Sequence, residues 1–478
     1  MAKEIKDNRS FIWLAAIAII GSILVFLVTR KWGLGVTVGS MFFVEAARNF
    51  VLGAGFSIFS KAGTLEPLAS YPPGFPFLLS WGWFLGLDAF HWARFLNIFF
   101  FGINIFLAGI LAWSWSKNKI AGLVAAGFFL CSPELLNIHL HLLSEPIFFV
   151  FLLIFFIALC RYQEVGGKKM FYAVACSAAL AGLIKPVEMA FILTAGVVFF
   201  GVKGEDFKEK CVKVGFFLLI GGFFPVILCV RNILLGVLAG NVYSILVLGS
   251  LKILVFACII ALWQRREKLV SENVVRLTGF PIAFLFMLVY AVSVFPVISF
   301  VPSANSSGLG DLSAILVLAL IVLACMATRA DLKKITLGVV ILFAMVSLGF
   351  CVNLMVAFVR NGAGYSSKAW TESKVLRELR AIDERVTVFA NNPSAVYYLI
   401  GRPAIQIPAS RWEDGFFPSI ETASRMFEKR EAVGVVFNEK DFSPGSRWTR
   451  LKARAMLKNV MSDSLATIYV QKKVEGKR

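Results

Sequence analysis

The sequence predicts a polytopic α-helical membrane protein with a small C-terminal α/β domain. Three observations carry this reading. The 478 residues are 58% hydrophobic, include 47 Phe and are only 16% charged, too little polar surface to cover a soluble fold. Apolar runs near the roughly 20 residues that cross a bilayer recur along the chain. After residue 361 the pattern changes to short β-rich runs alternating with helical stretches.

The first apolar run, 11–29, follows "MAKEIKDNRS" and ends in "VTRKW" with no small-residue cleavage pattern. It reads as an uncleaved anchor. Residues 30–75 form the first outer loop. Within it, "TVGSMFFVEAARNFVLGAGF" (37–56) has helical spacing, with Glu45, Arg48 and Asn49 on one face and Phe43, Ala46, Ala47 and Phe50 on the other. "PPGFPFLLSWGWFLGL" (72–87) is apolar but short. It reads as a half-span or re-entrant piece, tolerable only if buried against protein. Further spans are expected at 92–114, 119–133, 145–160, 170–184, 189–202, 214–230, 243–263, 277–298, 312–327 and 335–358, which gives about 11 spans in all.

The net charge of +19 does not indicate nucleic-acid binding, because Lys and Arg cluster between apolar runs as topology signals do. The clusters are Lys3/Lys6/Arg9, Lys117/Lys119, Arg161/Lys168/Lys169, Lys203/Lys208/Lys210/Lys213, Arg265/Arg266/Lys268/Arg276 and Arg329/Lys333/Lys334. They fall on alternate connections, against a sparser set of Arg30, Lys31, Arg48, Lys61, Lys185, Arg231 and Arg360. The positive-inside rule then places the N-terminus in the cytoplasm and the tail after residue 360 outside. The eight Cys lie in or beside apolar runs, none after residue 351, so the tail has no disulfide framework. No CxxC pair or other ligand spacing indicates a metal, and a divalent cation is left open.

The tail, 362–478, carries strand-like runs "RVTVFAN", "AIQIP", "AVGVVFN" and "LATIYVQ" between helical stretches such as "AWTESKVLRELRAI". This alternation predicts a mainly parallel sheet. No Gly-rich phosphate loop opens any of its helices. Asn391 and Asn392 end a strand, where α/β ligands often bind; a strand-to-helix turn is the plainer role.

Charged groups in membrane segments are costly and therefore functional suspects. The outer connections carry Glu45, Arg48, Glu134, His139, His141, Glu145, Lys185, Glu188, Arg231 and Asp311. Cations there suit a lipid-linked phosphate, and a carboxylate suits deprotonation of a hydroxyl. Each has a structural alternative. The 40–52 helix fits an interfacial helix, His139 and His141 at i, i+2 fit interfacial histidines, and Ser144–Glu145 fits an N-cap followed by N1. Lys252, in mid-span, either snorkels, pairs or touches a bound anion.

"GSMFFVEAARNFVLGAGF" followed by "YPPGFPFLL" resembles the first-loop signature of bacterial GT-C superfamily membrane glycosyltransferases of the family 39 type, relatives of the protein O-mannosyltransferases and the lipid A aminoarabinose transferase. "SEPIFFVFLL" (144–153), "AGLIKPVEMA" (181–190), "RNILLGVLAG" (231–240) and the tail from 364 to 408 continue the resemblance in order. The resemblance implies glycosyl transfer from a polyprenyl-phosphate-linked sugar to a glycan, lipid or protein acceptor. The reaction would take place at the outer face of the bacterial cytoplasmic membrane. It implies Arg231 at the carrier phosphate and Glu145 as an acidic member of the site, with Glu45 and Arg48 lining the cavity and Lys185 and Lys252 as further substrate contacts. It also exposes two departures. Gly39 stands where the family's first-loop Asp, its catalytic base, is expected, and "SSGLGDLSAI" (306–315) has Asp311 but no Arg of the family's late Arg-Tyr pair. Either Glu45 or Glu145 serves as base, or the acceptor needs little deprotonation, or the chain is an inactive membrane subunit that binds a lipid-linked glycan or scaffolds polysaccharide assembly. The expected domains are 1–361, transmembrane, and 362–478, extracytoplasmic.

Overall fold

The computed structural model describes residues 8–69, 71–185, 188–201, 206–234, 308–328, 333–407, 418–437 and 446–471. The chain forms two compact units. One comprises Met1–Arg30, Ala69–Leu78 and Phe90–Val356; the other comprises Lys31–Leu68, Leu79–Ala89 and Ala357–Arg478. The expected spans 243–263 and 277–298, with Lys252, lie outside the described residues.

Helix α1 (Asn8–Val28) is followed by α2 (Val38–Val51), the strands β1 (Ser57–Phe59) and β2 (Leu65–Pro67), and α3 (Gly74–Phe84). The 11 residues of α3 rise about 16 Å, half of what a bilayer crossing needs. Next come α4 (Ala89–Ser116), α5 (Lys119–Leu130), α6 (Pro133–Leu140), α7 (Glu145–Val165), α8 (Lys168–Ile184), α9 (Glu188–Gly201), α10 (Phe207–Gly221) and α11 (Phe223–Leu234). Helices α12 (Gly308–Ala327) and α13 (Lys333–Asn361) complete the apolar part.

Among the described residues four helical stretches are long and apolar enough to cross a membrane: Arg9–Val28, Ala89–Ser116, Glu145–Val165 and Ala344–Asn361. The pair α5 and α6, bent by 57°, qualifies if read as one broken span. The break follows from sequence: Ser132 caps α6, its hydroxyl accepting from Leu135 N–H, and Pro133 occupies the first turn, where a missing N–H costs nothing. The expected span 214–230 is likewise two helices, α10 and α11. Pro225 has no N–H to donate to the carbonyl four residues back, at Gly221.

Close packing in this unit rests on small residues. A Cβ at Gly102 would lie 3.0 Å from Ala18 O, and one at Gly109 would lie 3.1 Å from Gly122 O, so α1, α4 and α5 approach nearly backbone to backbone. Helices α7 and α8 form an antiparallel hairpin. Gly166 and Gly167 make its turn at φ +67° and +92°, left-handed values that glycine adopts without strain. The hairpin therefore returns the end of α8 to the start of α7.

In the other unit, β1 and β2 pair as a small antiparallel hairpin. The tail adds α14 (Lys368–Glu372), α15 (Lys374–Arg380), β3 (Thr387–Ala390), α16 (Pro393–Ile400), β4 (Ile405–Gln406), α17 (Ile420–Glu428), β5 (Ala432–Phe437), α18 (Arg447–Arg454), β6 (Leu457–Ser462) and β7 (Ala466–Gln471). The sheet order is β4-β3-β5-β7-β6. Pairing is parallel across β4-β3-β5 and antiparallel from β5 through β7 to β6. The mainly parallel sheet expected is thus a mixed one, because "LKNVMS" forms an edge strand. Its Lys458, Asn459 and Val460 are exposed, so it lacks the apolar run that marks the inner strands. One core packs Phe389, Phe427, Val436, Trp448, Leu451 and Tyr469 beneath α17 and α18.

Residues 31–68 join the tail through backbone contacts. Val36 pairs in parallel with Gly364, and Tyr365 N–H donates to Val36 O at 2.9 Å. Gln406 N–H donates to Lys61 O at 2.8 Å, and Ser366 Oγ donates to Leu34 O at 2.5 Å. Gly364 has φ +58°, and a Cβ there would overlap Val36 O. Gly364→Ala is therefore expected to cost about 2 kcal/mol or more from left-handed strain and overlap. A lowered Tm of the purified chain and faster proteolytic cutting within residues 31–68 would register it.

Candidate functional site

In the second unit, α2 is set by a capping box in which the Thr37 hydroxyl accepts from Ser40 N–H and Ser40 Oγ accepts from Thr37 N–H. Gly39 falls in the first turn, and a Cβ there would meet only Thr37 Oγ1, at 3.8 Å. The backbone thus leaves room for a side chain at that position.

The polar face of α2 is largely committed to backbone partners. Glu45 is 5% exposed, and its Oε1 accepts from Phe59 N–H at 2.7 Å. Asn49 donates to Ser57 O at 2.8 Å. Together they fasten β1 onto α2. Arg48 donates through Nη1 to Gly401 O at 2.8 Å, and its guanidinium lies 5.8 Å from the Tyr397 ring centroid. Gly401 ends α16 in the left-handed conformation, so Arg48 sits where a helix leaves unpaired carbonyls. The interfacial helix with solvated headgroup contacts gives way here to one whose polar face is buried against its own unit.

Asn391 and Asn392 take the turn role. Asn392 Oδ1 accepts from Ala395 N–H and from the Tyr365 hydroxyl, and Asn391 brackets the backbone N–H and C=O of Phe437.

In the first unit, the α7–α8 hairpin brings Lys185 to Glu145. Lys185 Nζ lies 2.8 Å from Glu145 Oε1, both side chains being 11% exposed. Each charge stands at the helix end that favours it: Glu145 opens α7, and Lys185 caps the C-terminus of α8. The N-cap expected of Ser144 is not made, since its hydroxyl forms no capping bond and its backbone is already helical at ψ −14°.

The segment between α6 and α7 is held from α4. Asn97 donates to His139 O at 3.0 Å and His141 O at 2.6 Å; Asn104 donates to Pro146 O at 2.8 Å. His139, expected at an interface, is fully buried among Phe101, Phe129 and Phe149. Its Nδ1 lies 2.7 Å from Leu135 O, which can only accept. Nδ1 therefore carries the proton, and Nε2, 3.1 Å away, accepts from Asn104 Nδ2. This cluster escaped the sequence reading because asparagine in a span carries no charge. Arg94, inside α4, was also missed. It donates to Thr29 Oγ1 and Phe26 O at the end of α1.

Arg231 lies in the last turn of α11 and is half-buried. Of the six residues singled out for substrate or catalysis, the structure thus joins Glu145 to Lys185 and sets Glu45 and Arg48 on one helix.

No family model matches the chain, and no curated protein does. Solved structures do. Aminoarabinose transferase ArnT from Cupriavidus metallidurans bound to undecaprenyl phosphate superposes with a TM-score of 0.58 over 98% of this chain and 99% of that one, at 13% identity. Its apo structure gives 0.59 over 96% and 98%, at 13% identity. The archaeal oligosaccharyltransferase AglB from Archaeoglobus fulgidus, in complex with an inhibitory peptide and a dolichol-phosphate, gives 0.54 over 97% of this chain and 75% of that one, at 12% identity.

The chain has the fold of the GT-C membrane glycosyltransferases.

Burial raises the Glu45 carboxyl from its ordinary 4.5 to about 7, against the pull of the Phe59 N–H. Between those values the folded state holds a proton that the unfolded chain has lost. Stability is therefore greatest below the unfolded value and falls as pH rises to about 7, by at most about 3 kcal/mol. Glu45→Gln keeps an acceptor for Phe59 and is expected to remove this dependence, with a Tm above the parent's at pH 8. Thermal unfolding between pH 5 and pH 8 measures both.

Proposed function

We propose that this protein transfers a glycosyl group from a polyprenyl-phosphate-linked sugar to a glycan, lipid or protein acceptor at the outer face of the bacterial cytoplasmic membrane. The observation that carries the proposal is a GT-C fold matched over 98% of the chain to a transferase bound to undecaprenyl phosphate. The Glu145–Lys185 pair supports it, placing a carboxylate and an ammonium within one hydrogen bond of each other at adjoining helix ends. In this reading Lys185 and Arg231 face the donor phosphate, with Lys252 as a further contact. Glu145 accepts the proton of the acceptor hydroxyl. Glu45 and Arg48 hold the first loop in shape.

The reaction is a displacement at the anomeric carbon. The acceptor oxygen bonds to that carbon, the carbon–oxygen bond to phosphate breaks, and the electron pair leaves with polyprenyl phosphate. Cations near the phosphate stabilise the charge that grows there, and a carboxylate near the acceptor takes its proton. The second reading, a non-catalytic subunit that binds a lipid-linked glycan, is favoured by Gly39 in place of the family's Asp.

Purified full-length protein in nanodiscs, given radiolabelled polyprenyl-phosphate sugar and membrane extract as acceptor source, is expected to release polyprenyl phosphate and label the acceptor. Donor binding without turnover would favour the subunit. Arg231→Ala is expected to lower transfer about 10- to 100-fold, the worth of one hydrogen bond to a charged group. Unchanged transfer would remove Arg231 from the site. Gly39→Asp is expected to fold with a Tm at or above the parent's, because it replaces a helical glycine and puts an acid in the first turn.

A further inference from the structure

Among the described residues the Glu145 carboxylate has no partner other than Lys185, and it takes no backbone N–H in return for its burial. In this it differs from Glu45, which fastens a strand. A buried ion pair is a weak source of stability, because desolvating two charges cancels most of their attraction. The pair also stands at the open end of the α7–α8 hairpin, where the two helix termini are joined by no peptide link of their own. A phosphate oxygen offers the Lys185 ammonium what Oε1 offers, with more negative charge behind it.

We propose that Glu145–Lys185 is an exchangeable pair: the phosphate of the lipid-linked donor takes Lys185 away from Glu145, and the carboxylate so released is the base for the acceptor. The proposal rests on the glycosyl-transfer reading and adds an order of events to it. While Lys185 donates to Oε1, that oxygen is closed to a hydroxyl proton. Once the donor phosphate holds Lys185, Oε1 is open. The acceptor proton then passes to Oε1, the acceptor oxygen bonds to the anomeric carbon, and the bond to the phosphate oxygen breaks with its electron pair. Polyprenyl phosphate departs, Glu145 gives its proton to water, and the pair re-forms. Without donor the base stays covered, which guards against deprotonating the acceptor unproductively.

The exchange predicts opposite effects for the two partners. The probe is undecaprenyl phosphate, titrated into full-length protein in nanodiscs of zwitterionic lipid, which offers no competing anionic headgroup. Glu145→Gln is expected to bind the probe about tenfold more tightly than the parent, because the ammonium no longer has the Glu145 carboxylate to leave, while losing transfer. Lys185→Met is expected to bind it about tenfold more weakly. Glu145→Asp keeps the charge but draws it back by one methylene, and is expected to fold as the parent does and to bind with intermediate tightening. If Glu145→Asp and Glu145→Gln bind no more tightly than the parent, the exchange is wrong. If they bind no more tightly yet the parent still transfers sugar, the glycosyl-transfer reading stands without it. A parent that neither binds the probe nor transfers sugar overturns both.

Discussion

A backbone N–H or C=O away from water must find a partner, and in this chain that constraint governs where polar side chains go. Helices α5, α6 and α7 do not run on into one another, and carbonyls at the end of α6 are left over. Asn97 on α4 answers them, and Asn104, seven residues on and thus on the same helical face, adds a bond to the Pro146 carbonyl at the start of α7. Arg94, three residues before Asn97, does the same for the end of α1. One helix thereby positions the ends of its neighbours, and the start of α7, with Glu145, is held through the Pro146 carbonyl.

The same constraint separates structural from functional suspects. In an apolar chain every charged residue attracts attention as a possible site. Glu45, Arg48 and Asn49 turn out to serve backbone groups of strand β1 and helix α16, and His139 is a neutral ring locked between a carbonyl and an amide. Glu145 and Lys185 are joined side chain to side chain. Charge placed against charge does not solve a backbone problem.

The first loop shows how far backbone pairing can fix a connecting segment. A connecting segment would ordinarily be free to vary. Here Val36, Leu34 and Lys61 lend their carbonyls to the tail, and Gly364 accepts a close approach that no side chain would permit. The amphipathic helix with Gly39 in its first turn is thus held from both ends.

By itself the sequence determined the class of the fold. Long apolar runs and the change of pattern after residue 361 follow from bilayer thickness and strand periodicity, which act locally and leave a mark on every window of the chain. It marked α1, α4 and α7 as long apolar helices and located strands β3, β4, β5 and β7. It did not mark the edge strand β6, whose exposed residues lack an apolar signature, or the break between α10 and α11 at Gly222. Pairings were decided only by the tertiary structure. That Lys185 meets Glu145 depends on the turn at Gly166 and Gly167 and on two helices of comparable length, and that Glu45 meets Phe59 depends on a hairpin too short to show a period. Local patterns record burial; which buried charge faces which partner is set by how helices return, and no window of sequence contains that.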